Sequence, residues 1–118
     1  MYWKHIYMVM AELLIDEIRE LAFDEKIDVT VWKVKKDKDH QHGLKYSFNY
    51  RVWNGIEWIE VFRYDNAHRN GDHRHLFRKI ESIIFKSIGS INDEIYKLID
   101  KHRGEIDEIK KHRDISNE

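Results

Sequence analysis

The sequence predicts an α+β domain, a small antiparallel sheet of about four to five strands with a central type I′ hairpin, packed against N- and C-terminal helices. Three observations predict it. Asn54-Gly55 stands between two extended runs, and a type I′ turn needs the positive φ that these two residues tolerate. Val29-Thr30-Val31-Trp32-Lys33-Val34 is dense in β-branched and aromatic residues, which suit a pleated surface. Apolar residues recur at helical spacing near both ends of the chain, at Leu14, Ile18, Leu21 and Ala22, and again at Ile91, Ile95, Leu98 and Ile99.

The elements follow in order. Residues 1–9 are apolar and read as an extension or an edge strand, and residues 12–23 as the first helix. The strand at 29–34 leads into Lys35-Lys36-Asp37-Lys38-Asp39-His40-Gln41-His42-Gly43, a polar loop without apolar period. A two-residue hairpin loop pairs Trp53 with Ile56, Arg51 with Trp58, Tyr50 with Ile59 and Asn49 with Glu60. That register puts Tyr46, Phe48, Tyr50, Val52, Ile59 and Val61 on the core face, with Asn49, Arg51, Trp58 and Glu60 opposite. Continued alternation carries Arg63 and Asp65 to the core side and Tyr64 to the other. Residues 79–85 read as a further strand. Ser90 and Asp93 resemble a capping box opening the second helix, Gly104 interrupts that helix, and residues 105–118 form a solvated helical tail with a thin stripe of Ile106 and Ile109.

A chain of 118 residues is long enough for one modest core and too short for two. The net charge of −1 is unevenly spread. Residues 1–25 carry two basic and six acidic groups, residues 26–86 thirteen and eight, and residues 87–118 six and eight. A basic centre between acidic ends steers anionic ligands to the middle of the chain, unless it is ordinary surface charge. The absence of cysteine excludes disulfides, thiolate metal sites and a thiol nucleophile, and fits a cytoplasmic protein. The apolar opening is too short to span a bilayer and lacks a cleavage site. No proline, one glutamine and abundant Lys, Glu and Ile point to a thermophilic source.

Chemistry concentrates in residues 63–75, which gather three histidines, two aspartates and three arginines. Histidine exchanges protons near neutral pH, and arginine offers a fixed forked donor to phosphate. One reading is metal-independent RNA cleavage. Two of His68, His73 and His75 would serve as base and acid, with Arg63 and Asp65 completing the catalytic set and Arg63 or Arg74 stabilising the transition state. Arg69, Arg74, Tyr64 and Trp58 are then candidate substrate contacts, the aromatic rings by stacking on bases; strand aromatics also pack in cores. A second reading is a divalent-metal site drawn from Asp65, His68, Asp72, His73 and His75. A third is a hydrated loop without chemistry. No phosphate-binding glycine loop, His-Glu-x-x-His helix or nucleophile elbow occurs.

Tyr46-Ser47-Phe48-Asn49-Tyr50, then Phe62-Arg63-Tyr64-Asp65-Asn66-Ala67-His68, then Asp72-His73-Arg74-His75 resembles the TumE-like toxins of prokaryotic type II toxin–antitoxin pairs. The likeness runs from about Val29 to Phe85. It implies a small toxin acting on RNA, neutralised by a cognate antitoxin that often bears a helix-turn-helix domain, with function at Arg63, Asp65, His68, His73 and His75. The family pattern has a proline-flanked histidine pair, whereas this chain has no proline. The amphipathic stretch from Ile91 to Ile109 is the expected contact for the antitoxin or for a homodimer.

Overall fold

The computed structural model describes residues 11–38, 40–66 and 71–111. Six strands run in sequence order through one sheet: β1 (Glu12–Ala22), β2 (Glu25–Lys33), β3 (Leu44–Trp53), β4 (Trp58–Asp65), β5 (His73–Leu76) and β6 (Lys79–Ser82). Every neighbouring pair is antiparallel. Two helices follow, α1 (Ile88–Lys101) and α2 (Arg103–Lys110). The α+β class and antiparallel sheet match the sequence reading, with one strand more than expected.

Residues 12–23 form no helix. They form β1, which among the described residues ends the sheet, paired with β2 from Glu12↔Lys33 to Ala22↔Glu25. Leu, Glu, Arg and Ala are good helix formers, but propensity amounts to less than about 1 kcal/mol per residue and the ladder supplied by β2 overrides it. The expected strand at 1–9 lies outside the described residues. The strand at 79–85 stops at Ser82.

The hairpin is present, but its turn differs. Trp53 pairs with Trp58, which leaves a four-residue loop. Asn54 does not take positive φ; its side-chain oxygen accepts from the backbone N–H groups of Ile56 and Glu57, at 2.8 and 2.9 Å. That Asx turn replaces the type I′ geometry. Beyond it Arg51 pairs with Glu60 but Tyr50 with Phe62, so Val61 is an extra residue, a β-bulge. The bulge reverses the parity of the rest of β4. Phe62 and Tyr64 therefore join Tyr46, Phe48, Tyr50 and Val52 on the core face, and Arg63 and Asp65 turn to the opposite one.

The core is the layer between that face and the helices. Ile27, Val29 and Val31 of β2 and the β3–β4 aromatics meet Ile91, Ile95, Ile99 and Ile106. The cap of α1 is Ser87, whose hydroxyl accepts from Ser90 N–H at 3.0 Å, one turn ahead of the expected Ser90. The helical run breaks at His102, not at Gly104. Ile106 is fully buried, so the start of the supposed solvated tail belongs to the core. The apolar stripe from Ile91 to Ile106 is consumed by the sheet and does not present a free docking face.

One ion cluster ties α2 to the sheet. Glu25, at the start of β2, accepts from Tyr50 OH, Arg103 Nη1 and Lys110 Nζ. Burial alone would raise its pKa, but the hydrogen bonds from Lys110, Tyr50 and Arg103 outweigh that and hold the carboxyl below its usual range.

Candidate active site on the helix-free face

Strand register builds the site. One transverse row on the face away from the helices runs Ile18, Asp28, Asn49, Arg63, His75, Ile80, one residue from each strand. The neighbouring row toward the end of β4 runs Asp16, Thr30, Ser47, Asp65, His73, Ser82. Directly opposed side chains on one face lie about 5 Å apart, so the β4–β5 register sets Arg63 beside His75 and Asp65 beside His73, and the bulge at Val61 turns all four away from the core face of β3.

Arg63 is the centre. Its Nη2 donates to His75 Nε2 at 3.0 Å, its Nε lies 2.8 Å from Asp65 Oδ2, and its Nη1 lies 3.4 Å from Glu60 Oε1. A guanidinium cannot accept, so the Nε2 of His75 is the lone-pair nitrogen and its proton sits on Nδ1. Burial, and then the charges of Arg63 and His73, push the His75 pKa below the usual imidazole range. His75 is thus a neutral base at pH 7, half-buried and reachable from solvent.

His73 differs. It is 3% exposed, and its Nδ1 lies 2.8 Å from the Gly71 carbonyl oxygen, to which it must donate. Its Nε2 lies 3.1 Å from Asp65 Oδ1, near enough for an ion pair but without an aligned hydrogen bond. Asp65 is equally buried, yet its Oδ1 receives no aligned hydrogen bond among the described residues, and the Nε–H of Arg63 likewise aims past its neighbour. A buried acceptor and a buried donor are left with hydrogen-bonding capacity beside an accessible base.

The other candidates are divided by the sheet. Tyr64 is fully buried on the core face and accepts from Arg74 Nη1 at 3.3 Å, while Arg74 Nε donates to Glu81 at 2.9 Å. Neither shares a face with His75. Asp72 also departs from the cluster: it accepts from Tyr46 OH at 2.7 Å and from His42 Nε2 at 2.9 Å. Burial first, and that Asp72 bond second, push the Tyr46 hydroxyl far above its ordinary pKa. Trp58 remains on the site face, 36% exposed, with Lys26 Nζ 4.6 Å above its ring. His68 and Arg69 lie outside the described residues.

Sequence reasoning paired Asn49 with Glu60 but did not count them among the site residues; they are bonded to each other at 3.0 Å and flank Arg63. It missed Asn66, which is fully buried, accepts from Tyr46 N–H at 2.9 Å and donates to the Leu44 carbonyl at 2.8 Å. Asn66 fastens the end of β4 to the start of β3. Its only sequence signal is an asparagine directly after a strand.

Ligand atoms of Asp65, His73 and His75 lie within 4.8 Å of one another, close enough to share one metal ion. The guanidinium of Arg63 already bridges Asp65 and His75. A dication would have to displace a permanent positive charge from the middle of its own ligand set, so the donor set fits a metal poorly.

The fold and this face define a small antiparallel-sheet protein with a solvent-facing His–Arg–Asp centre. The chain belongs to the TumE toxin family, whose model matches residues 11–110. It is the toxin component of a toxin–antitoxin system, with a cognate antitoxin as partner. No curated protein and no solved structure matches it. Among the described residues no helix is long and apolar enough to cross a membrane.

Proposed function

We propose that this toxin cleaves RNA without a metal, using His75 as the general base and Arg63 as the phosphate clamp. The observation that carries the reading is the 3.0 Å contact between Arg63 Nη2 and His75 Nε2, with the imidazole held neutral. A phosphodiester oxygen competes for the guanidinium fork and frees Nε2. That nitrogen then takes the proton of the ribose 2′-hydroxyl, the 2′-oxygen attacks phosphorus, and Arg63 meets the charge growing on the non-bridging oxygens. The 5′-oxygen leaves with a proton, giving a 2′,3′-cyclic phosphate and a 5′-hydroxyl. His68 is the sequence's candidate for that acid. Buried His73, fixed through Nδ1 to the Gly71 carbonyl and lying beside Asp65, and Asp65 itself act as positioning residues that hold Arg63. Trp58 beside Lys26 offers a base-stacking platform on the same face.

A metal-dependent reading rests on Asp65, His73 and His75, and one experiment separates the two. Purified toxin, freed of antitoxin, is incubated with single-stranded RNA in excess chelator and the new ends are identified. Cyclic phosphate ends support general acid–base cleavage. Activity lost in chelator and regained with one metal supports the other reading. A helix-turn-helix antitoxin is part of the proposal, and the protein encoded by an adjoining gene decides it.

A further inference from the structure

We propose that strand β1 is the antitoxin-docking edge, and that it takes an extended antitoxin segment of alternating basic and apolar residues as a seventh strand. The inference rests on the family's antitoxin partner and does not depend on the RNA chemistry.

Among the described residues β1 is paired on one side only. It is eleven residues long, about 35 Å of backbone, and neither Pro nor Lys guards it. Leu13, Leu14 and Ile18 are 44, 48 and 65% exposed, and Phe23 in the turn that follows is 90% exposed. Register shifts at Leu13/Ile15 and Glu20/Ala22 and a row of charged side chains guard the ends of this edge. Residues 15–20 between the shifts nevertheless form a regular ladder whose open side, with exposed apolar side chains beside it, is a template for a strand of complementary charge.

Charge selects the occupant. The strand carries Glu12, Asp16, Glu17 and Glu20 against Arg19 alone, and Arg19 is engaged by Glu17 and Asn92. A second copy would bring the same four carboxylates to the same edge, and like charges on paired strands repel. A basic amphipathic segment satisfies both the backbone and the charge. Position adds a consequence. Ile18 ends the transverse row that contains Arg63 and His75, with β4 three strand spacings away, about 14 Å. An antitoxin anchored at β1 therefore stands on the catalytic face, where a few further residues reach Arg63.

The test uses the full-length toxin and its purified cognate antitoxin. Amide hydrogen exchange is followed in both states, and affinity is measured by calorimetry for wild type and for Asp16→Lys/Glu20→Lys. Both aspartate and glutamate are exposed, so the variant should melt as wild type does. The expected result is slowed exchange across Glu12–Ala22 only with antitoxin, and at least about tenfold weaker binding by the variant. Four results would overturn the proposal: unchanged affinity, protection elsewhere but not at β1, full protection of β1 in the free chain by its own residues 1–10, or protection that follows self-association. Each readout is independent of RNA cleavage, so an inactive protein that binds through β1 would remove the nuclease reading and leave this one standing.

Discussion

Arg63 and His75 face each other across β4 and β5, with the guanidinium donating to the lone-pair nitrogen of the ring. On the proposed nuclease reading, that nitrogen stays occupied until an anion draws the arginine away. The contact also keeps the ring neutral, since a fixed cation 3.0 Å away opposes protonation.

Replacing Arg63 by lysine keeps the charge and loses the fork. One ammonium cannot serve a phosphate, Asp65 and His75 together. RNA cleavage by Arg63→Lys should fall about 10- to 100-fold and by Arg63→Ala further, with single-turnover rates as the measurement. Lysine at full activity would show that the fork is not used.

The pH profile carries a defined sign. The base works when unprotonated, and His75 loses its proton below the usual imidazole pKa of about 6.5. The cleavage rate should therefore rise with pH along an acid limb whose midpoint lies below that value, and Arg63→Ala should move the midpoint upward. An acid limb at or above the ordinary imidazole value in wild type would contradict the assignment.

Metal affinity should change when the guanidinium is removed. Arg63→Ala leaves Asp65, His73 and His75 within reach of one another without a competing cation. Zinc titration by calorimetry should show binding at least about tenfold tighter than wild type. Equal affinities would mean that Arg63 does not exclude the ion.

Glu25 tests how the helical layer is held. Glu25→Gln keeps the shape and removes the charge facing Arg103 and Lys110. Arg103 is partly solvated and Lys110 keeps Asp24, so the expected loss is about 2 kcal/mol, toward the low end for a broken buried pair. Because the Glu25 pKa is depressed, its stabilisation is complete above the ordinary carboxylate pKa and disappears as pH falls through the folded-state value. The difference between wild-type and variant melting temperatures should shrink in acid.

The antiparallel sheet and the existence of the hairpin were legible because strand alternation is local, although the turn type and register were not. Three further features were not legible. β1 is exposed on both faces, so burial imposes no period of two on its sequence, and its leucines fall at helical spacing by chance. The Val61 bulge inserts one residue without any glycine or asparagine to mark it, and a single insertion reverses every side chain after it. That reversal sent Arg63 and Asp65, with their β5 partners His75 and His73, to the face away from the helices, and buried Tyr64 opposite. Asn49 and Glu60 were read as a cross-strand pair but not as neighbours of Arg63, because the bulge that sets Arg63 opposite Asn49 leaves no mark in the sequence.

His75→Ala tests the central claim most directly. Single-turnover cleavage of single-stranded RNA in chelator should fall about 100- to 10,000-fold, while the melting temperature stays near that of wild type because the side chain is partly exposed. Cleavage by a folded His75→Ala protein at the wild-type rate would contradict the account.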